Sequence, residues 1–269
     1  MLSGALPLKP GEGLLILGRT KMKKLSWITG ILIFVMVLLA ALGSVCGAVD
    51  QIATDENFYS GMSRAAVMKY LGVEDDPQVS AKVSEYIGMT DEEQTAFAGE
   101  MIAFMRGETN AQPAVLNEKE QRHMLDVRNL TQTAAGMSKT YMTVAVVLAV
   151  IAAWTGAKLK RRMMPKLIGG LGAVSVIMLL VQGVMNEVAA GGFAQLFVQM
   201  HETLFTNDLW LMNPETDILI RMMPQPLFEQ ALLNGASIAL RMLVIVLVML
   251  FAVNVIIESM LHRHVTKGE

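Results

Sequence analysis

Trp27-Ile28-Thr29-Gly30-Ile31-Leu32-Ile33-Phe34-Val35-Met36-Val37-Leu38-Leu39-Ala40-Ala41-Leu42-Gly43-Ser44-Val45-Cys46-Gly47-Ala48-Val49 contains no charged residue. At 1.5 Å per residue, a helix of this length crosses a hydrocarbon core of roughly 30 Å. Three more apolar blocks follow, at 141–157, 167–185 and 242–257. They predict spans at 27–49, 140–157, 167–185 and 237–257. The last reaches back past Arg241, which then lies near a membrane face or in the bundle interior. A secretory signal is the rival reading of the first block, with Ser44-Val45-Cys46 imitating a cleavage region. The block is long for such a signal and three more apolar blocks follow it, so it reads as a retained helix.

The whole composition agrees. Of 269 residues, 53% are hydrophobic and 17% charged, and mean hydropathy is +0.46. Soluble domains carry roughly a quarter charged residues, so a soluble enzyme, a disordered chain and a fibrous repeat are set aside. A net charge of −2 argues against a nucleic-acid partner, since phosphate neutralisation needs a basic excess. The single cysteine, Cys46, excludes a disulfide framework and a cysteine-based zinc site. The many methionines read as lipid-facing or core filler that leaves an adaptable acyl-chain groove.

Charge sets the expected orientation. Residues 1–26 and 158–166 are basic; the second carries Lys158, Lys160, Arg161, Arg162 and Lys166 with no acid. Residues 50–139 hold 8 Lys and Arg against 15 Asp and Glu, a net of −7, and 186–236 carry a net of −5. The positive-inside rule places both termini and the basic link in the cytoplasm. The resulting expectation is a mainly α protein, a four-helix transmembrane bundle with a small, mostly helical extracytoplasmic domain formed by two loops. Its parts are a cytoplasmic basic segment (1–26), a first extracytoplasmic segment (50–139), a cytoplasmic link (158–166), a second extracytoplasmic segment (186–236) and a cytoplasmic tail (258–269).

Both outer segments read as helical. Ser60 to Leu71 ends at Gly72, and Val79 to Ile87 fits a short helix or a strand. Thr90-Asp91-Glu92-Glu93 is a capping box opening a helix that stops at Gly107. Asn117-Glu118-Lys119-Glu120 opens another, with Glu120, His123, Asp126, Val127 and Leu130 on one face. In the second segment Gly191-Gly192 breaks the helix after the third span, and Phe193, Phe197, His201, Leu204 and Phe205 recur at helical spacing. Asn213-Pro214-Glu215 reads as a further helix start with Asn213 as N-cap, interrupted by Pro224 and Pro226, and a short helix then ends at Gly235.

Candidate chemistry narrows to histidine. His262 and His264 sit in the basic tail; His123 and His201 are the two on the outer side, one in each segment. A histidine on an amphipathic helix is ordinarily a packed or hydrogen-bonded residue. The sharper reading is an acid/base pair, because imidazole is the side chain that titrates near neutrality. Glu120, Asp126 and Asp208 are the nearby carboxylates available to orient a ring. His201-Glu202 opens a zinc-protease pattern, but Phe205 stands where its second histidine belongs, and no metal is expected. Gly169-Gly170-Leu171-Gly172 lies in an apolar span and reads as a helix-packing site, not a phosphate loop.

Two stretches carry a resemblance. One is Glu118-Lys119-Glu120-Gln121-Arg122-His123-Met124-Leu125-Asp126-Val127-Arg128. The other runs from Phe197 through His201, Phe205, Asn207 and Trp210, then through Asn213-Pro214-Glu215-Thr216-Asp217 to Leu219-Ile220-Arg221 and Pro224. Together they resemble a family of four-span bacterial integral membrane proteins that includes the lipoprotein intramolecular transacylases. The shared pattern is a Glu-rich lead to His-Met/Leu-x-Asp-Val, then Phe-x-x-x-His, Phe-x-Asn-x-x-Trp and Pro-x-x-Asp-x-Leu-Ile. The resemblance implies an acyltransferase of the bacterial plasma membrane. It would move an acyl chain from the sn-2 ester of a diacylglyceryl-modified cysteine to that cysteine's α-amino group. It implies diacylglyceryl-modified lipoproteins and membrane lipids as partners, no cofactor, and a histidine pair falling on His123 and His201. Trp210 and Asp217 enter as supporting positions through the same pattern, and so does Asn207, whose amide would donate to the oxyanion of the implied reaction. The alternative is a non-catalytic multi-pass sensor or assembly factor with structural histidines, and the distance between the two imidazoles discriminates between them.

Overall fold

The first apolar block is the middle of a longer helix, α1, Glu12–Ala53. The computed structural model describes residues 12–158, 172, 176–177, 179–184, 186 and 188–266. Among these, three helices are long and apolar enough to cross a membrane, over Ser26–Ala53, Glu118–Thr155 and Gln225–Met249. The expected third span, 167–185, and the link before it lie for the most part outside the described residues. The described residues fall into two compact units: one drawn from Met1–Leu42, Tyr141–Ile177 and Leu243–Glu269, the other from Gly43–Thr140 and Met178–Met242.

In the first unit, α1 buries Ile33, Met36, Val37 and Ala40, while Trp27, Phe34 and Leu38 are exposed. Helix α5, Glu118–Lys158, buries Ala145, Ala149 and Ala152, a small-residue stripe that permits close helix contact. Thr29 donates to Thr155 at 3.1 Å within this buried surface. A helix that is apolar on its exposed face needs lipid there, and its intact backbone ladder leaves no unpaired amide in the hydrocarbon.

The second unit holds the soluble-type core. A π-helical turn at Phe58–Met62 leads into α2, Ser63–Leu71, which Gly72 ends at φ +64. Val79–Ile87 is a helix, α3, resolving the sequence ambiguity in favour of helix. Helix α4, Asp91–Arg106, opens on the expected capping box, in which Thr90 and Glu93 bond each other's backbone N–H. That arrangement stabilises the helix by about 1 kcal/mol. Phe97, Met101, Phe104 and Met105 of α4 pack against Val67, Val83 and Ile87, and Met124 of α5 joins the same core.

The rest of the unit departs from expectation in two places. After a π-helical turn at Val188–Gly192 comes α6, Phe193–Leu204, and Phe205 leaves the helix in extended conformation. Asn213-Pro214-Glu215 does not start a helix: the Asn213 carboxamide accepts the Glu215 N–H, an Asx turn, and α7 begins only at Ile218 and ends at Met222. Gly235 does not end a helix either. Helix α8 runs unbroken over Gln225–Thr266. Pro226 falls in its first turn, where a missing N–H costs nothing. A Cβ at Gly235 would lie 3.0 Å from Ile52 Cδ1, so glycine is there for close helix packing. The same holds at Gly47, where a Cβ would meet Met242 at 2.8 Å and Ser138 at 3.0 Å. The Ser138 hydroxyl donates to the Gly43 carbonyl at 2.8 Å.

Candidate active site

Helix α5 starts with a reciprocal cap. The Asn117 side-chain oxygen accepts the Glu120 N–H at 3.0 Å, and Glu120 Oε2 accepts the Asn117 N–H at 2.8 Å. Glu120 is 1% exposed, and its other oxygen accepts the Leu219 N–H at the start of α7, at 2.7 Å. One carboxylate therefore joins the first turns of two helices that lie 99 residues apart. Asp217 makes a second tie. It accepts from the Asn117 amide at 3.0 Å, the Lys119 ammonium at 3.2 Å and the Asn213 N–H at 2.8 Å. Lys119 also bonds the Leu211 carbonyl. Burial alone would raise the Asp217 carboxyl, but the bonds from Asn213, Lys119, Asn117 and Thr216 outweigh it and hold it below the usual value.

This knot fixes the turn of α5 that carries His123, three residues beyond Glu120. His123 and His201 meet with ring centres 6.2 Å apart, about two hydrogen-bond reaches. Each is 7% exposed. Phe197 lies 4.0 Å from His201, and Trp210 lies 5.0 Å from it. Phe205 packs on both rings, at 5.3 Å from His123 and 5.5 Å from His201. The apolar walls disfavour charge: burial pulls His201 below its ordinary pKa, and burial followed by repulsion from His201 pulls His123 down to about 4. Asp126 acts against this at His123.

Among the described residues no carboxylate hydrogen-bonds either ring, which corrects the expectation for Glu120, Asp126 and Asp208. Glu120 is occupied by the two backbone N–H groups. Asp126 accepts from the Asn207 amide at 3.0 Å. Asp208 is exposed and bonds neither imidazole. The orienting group at His201 is instead the Phe197 carbonyl, 2.8 Å from Nδ1 and one helical turn back. A carbonyl only accepts, so Nδ1 carries the proton and the neutral ring keeps its lone pair on Nε2. At His123, Nδ1 is buried with no hydrogen-bond partner. Asn207 is oriented by accepting the Leu209 N–H at 3.1 Å while donating to Asp126. Among the described residues no group of three His, Cys, Asp or Glu side chains is placed to hold a metal.

The pattern missed Asn117, Lys119, Phe197 and Phe205 as site residues. Asn117-x-x-Glu120 is itself a capping-box pattern and was open to that reading. Phe197 lies one helical turn before His201 in sequence, whereas the place of Phe205 against both rings depends on its leaving the helix in extended conformation.

An α-helical integral membrane protein with a buried histidine pair is the class that fold and site define. A family model described as lipoprotein intramolecular transacylase Lit matches residues 75–228. The chain belongs to that family. It also shares its fold with the membrane-integral Lit of Bacillus cereus, at 16% identity and a TM-score of 0.57 over 86% of this chain and 96% of that one. A form of the same protein with one histidine changed to arginine aligns over 94% of this chain and all of its own, at 16% identity and a TM-score of 0.54. The corresponding alanine form gives 0.52 at 16% identity, over 86% of this chain and 94% of its own. No curated protein matches the chain in sequence.

Proposed function

We propose that this protein moves the sn-2 acyl chain of a diacylglyceryl-modified lipoprotein cysteine onto that cysteine's α-amino group, using His123 and His201 at the outer face of a bacterial plasma membrane. The convergence of the two histidines, one from each acidic segment, carries the reading. The nucleophile and the ester belong to one substrate molecule, so their proximity is built in. What the protein must supply is proton handling and charge stabilisation.

The two rings divide that work. The α-amino group has a pKa of roughly 8, so freeing its lone pair at pH 7 costs only about 1 kcal/mol. As the amine attacks the sn-2 carbonyl carbon, His201 Nε2 takes its proton. The same imidazolium then gives that proton to the departing glyceryl oxygen. The C–N bond forms and the C–O ester bond breaks, leaving an amide and an sn-2 hydroxyl. His123, pulled down to about 4, stays neutral and serves as an N–H donor to the tetrahedral oxyanion. The Asn207 amide, with one hydrogen committed to Asp126, has the other for the same oxyanion.

The test is the N-terminal peptide of a host lipoprotein, analysed by mass spectrometry with and without this gene. The expected product carries one acyl chain on the α-amino group and one on the glyceryl unit. An unchanged diacylglyceryl peptide on expression of the gene rejects the assignment.

The pH dependence follows from the depressed imidazoles. A lowered pKa means the folded protein resists protonation, so both rings are mainly neutral at pH 6.5, where an ordinary histidine is half charged. The log rate at low substrate should fall with unit slope below pH of roughly 8, from the substrate amine alone. His201 adds a second, steeper fall below 6.5, the side to which burial moves its protonation. Stability moves the same way. The unfolded chain binds protons first, so the protein loses stability as pH drops from 6.5 toward about 4. A rate profile that breaks at 6.5 contradicts the neutral-pair account.

A further inference from the structure

An imidazole base beside an ester can take a proton from water as well as from an amine. The proposed reaction therefore needs something that decides between transfer and hydrolysis. We infer that Trp210 makes that decision, by covering His201 and denying water access to the ester. The inference rests on the transacylase reading.

Three aromatic rings surround His201, and they are held differently. Phe197 lies one turn back on the same helix, and Phe205 lies one residue beyond its end. Trp210 comes from the following loop. Its ring centre is 5.0 Å from that of His201, with planes 32° apart. The indole is partly exposed while the imidazole beneath it is 7% exposed, so the indole forms part of the cover between ring and solvent. The loop is pinned on both sides of Trp210. Asn207 is tied to Asp126 of α5, and the Leu211 carbonyl is tied to Lys119 of the same helix. Neither tie involves the indole itself. The fold thus holds in place a ring whose contact is with the proposed base.

The depressed imidazoles agree with a site kept dry, since burial is the leading cause at both. Water has no tether to the ester, so excluding it from a volume the size of an indole removes most of its chance to react. If the indole is removed, the water oxygen bonds to the sn-2 carbonyl carbon and the ester C–O bond breaks. The water proton passes through His201 to the glyceryl oxygen. The products are a free fatty acid and the same sn-2 hydroxyl, with the cysteine α-amino group unacylated.

The experiment uses the full-length protein in detergent with a synthetic peptide bearing an N-terminal diacylglyceryl cysteine, and it measures free fatty acid and N-acyl peptide together. Trp210→Ala and Trp210→Leu are expected to raise the ratio of fatty acid to N-acyl peptide by about tenfold or more. Trp210→Phe, which keeps a ring over His201, should stay close to the wild-type ratio. Trp27→Ala, at a residue 76% exposed in the other unit, is the control and leaves the ratio unchanged. A merely structural tryptophan would lower both products together. The inference is overturned if neither Trp210→Ala nor Trp210→Leu raises the ratio, whether through equal loss of both products or an unchanged partition. A wild-type protein that forms no N-acyl peptide rejects the transacylase reading itself, which is a different outcome.

Discussion

His201→Ala is expected to lower the transacylation rate by about 10²–10⁴-fold, the range for loss of a positioned general base. His123→Ala is expected to lower it by about 10²–10³-fold, as for loss of an oxyanion donor. Both proteins should still insert and accumulate. The double variant should approach the product of the two losses, because an oxyanion donor keeps its effect when the base is gone. A double variant no worse than His201→Ala alone would show one shared role and sink the division of work proposed above. Rates of N-acyl peptide formation by mass spectrometry decide this.

A second readout separates a catalytic His123 from a packed one. Its Nδ1 is buried without a partner, which costs the folded state about 1–3 kcal/mol. Replacing it with phenylalanine removes that cost and keeps a ring against Phe205. His123→Phe should therefore be inactive yet at least as stable to heat as the parent. A histidine kept for structure would show the opposite. Functional groups are often held at some expense in stability, and this is where such an expense is visible.

What the sequence allowed to be read depended on the range of the interactions. The stops at Gly72 and Gly107 and the Thr90 capping box rest on residues within a few positions of one another, and the helices at those places agree with the reading. The histidines could be singled out because only two fall in the acidic segments. Long-range partners could not be read. Glu120 was expected to face a ring, but its partner is a backbone N–H 99 residues on. Gly235 carries the usual sign of a helix end, yet its role is set by Ile52 on another helix. Asn213-Pro214 has the residues of a helix start, but the Asx turn and the Asp217 carboxylate hold its backbone first.

The largest stability effect is expected at Glu120. Its two oxygens accept the Asn117 and Leu219 N–H groups, and the residue is 1% exposed. Alanine there leaves the buried Leu219 N–H and the partly buried Asn117 N–H unpaired and opens a void, at a cost of about 2–5 kcal/mol. Glutamine keeps the shape but must turn an NH₂ toward one of two N–H donors, a loss of about 1–3 kcal/mol. Asp126→Ala breaks only the bond to exposed Asn207, and about 1 kcal/mol is the expected limit. The order Glu120→Ala, then Glu120→Gln, then Asp126→Ala should appear in thermal unfolding of the detergent-solubilised protein. Activity at Glu120→Gln, measured below its unfolding temperature, should fall mainly in kcat. The cross-tie sets where the α5 turn bearing His123 stands against the segment bearing His201, and a displacement of about 1 Å costs on the order of 10²-fold in rate. A Glu120→Ala protein that unfolds within 1 °C of the parent would mean that the knot contributes nothing. The placement of the two rings would then have to come from their aromatic neighbours alone.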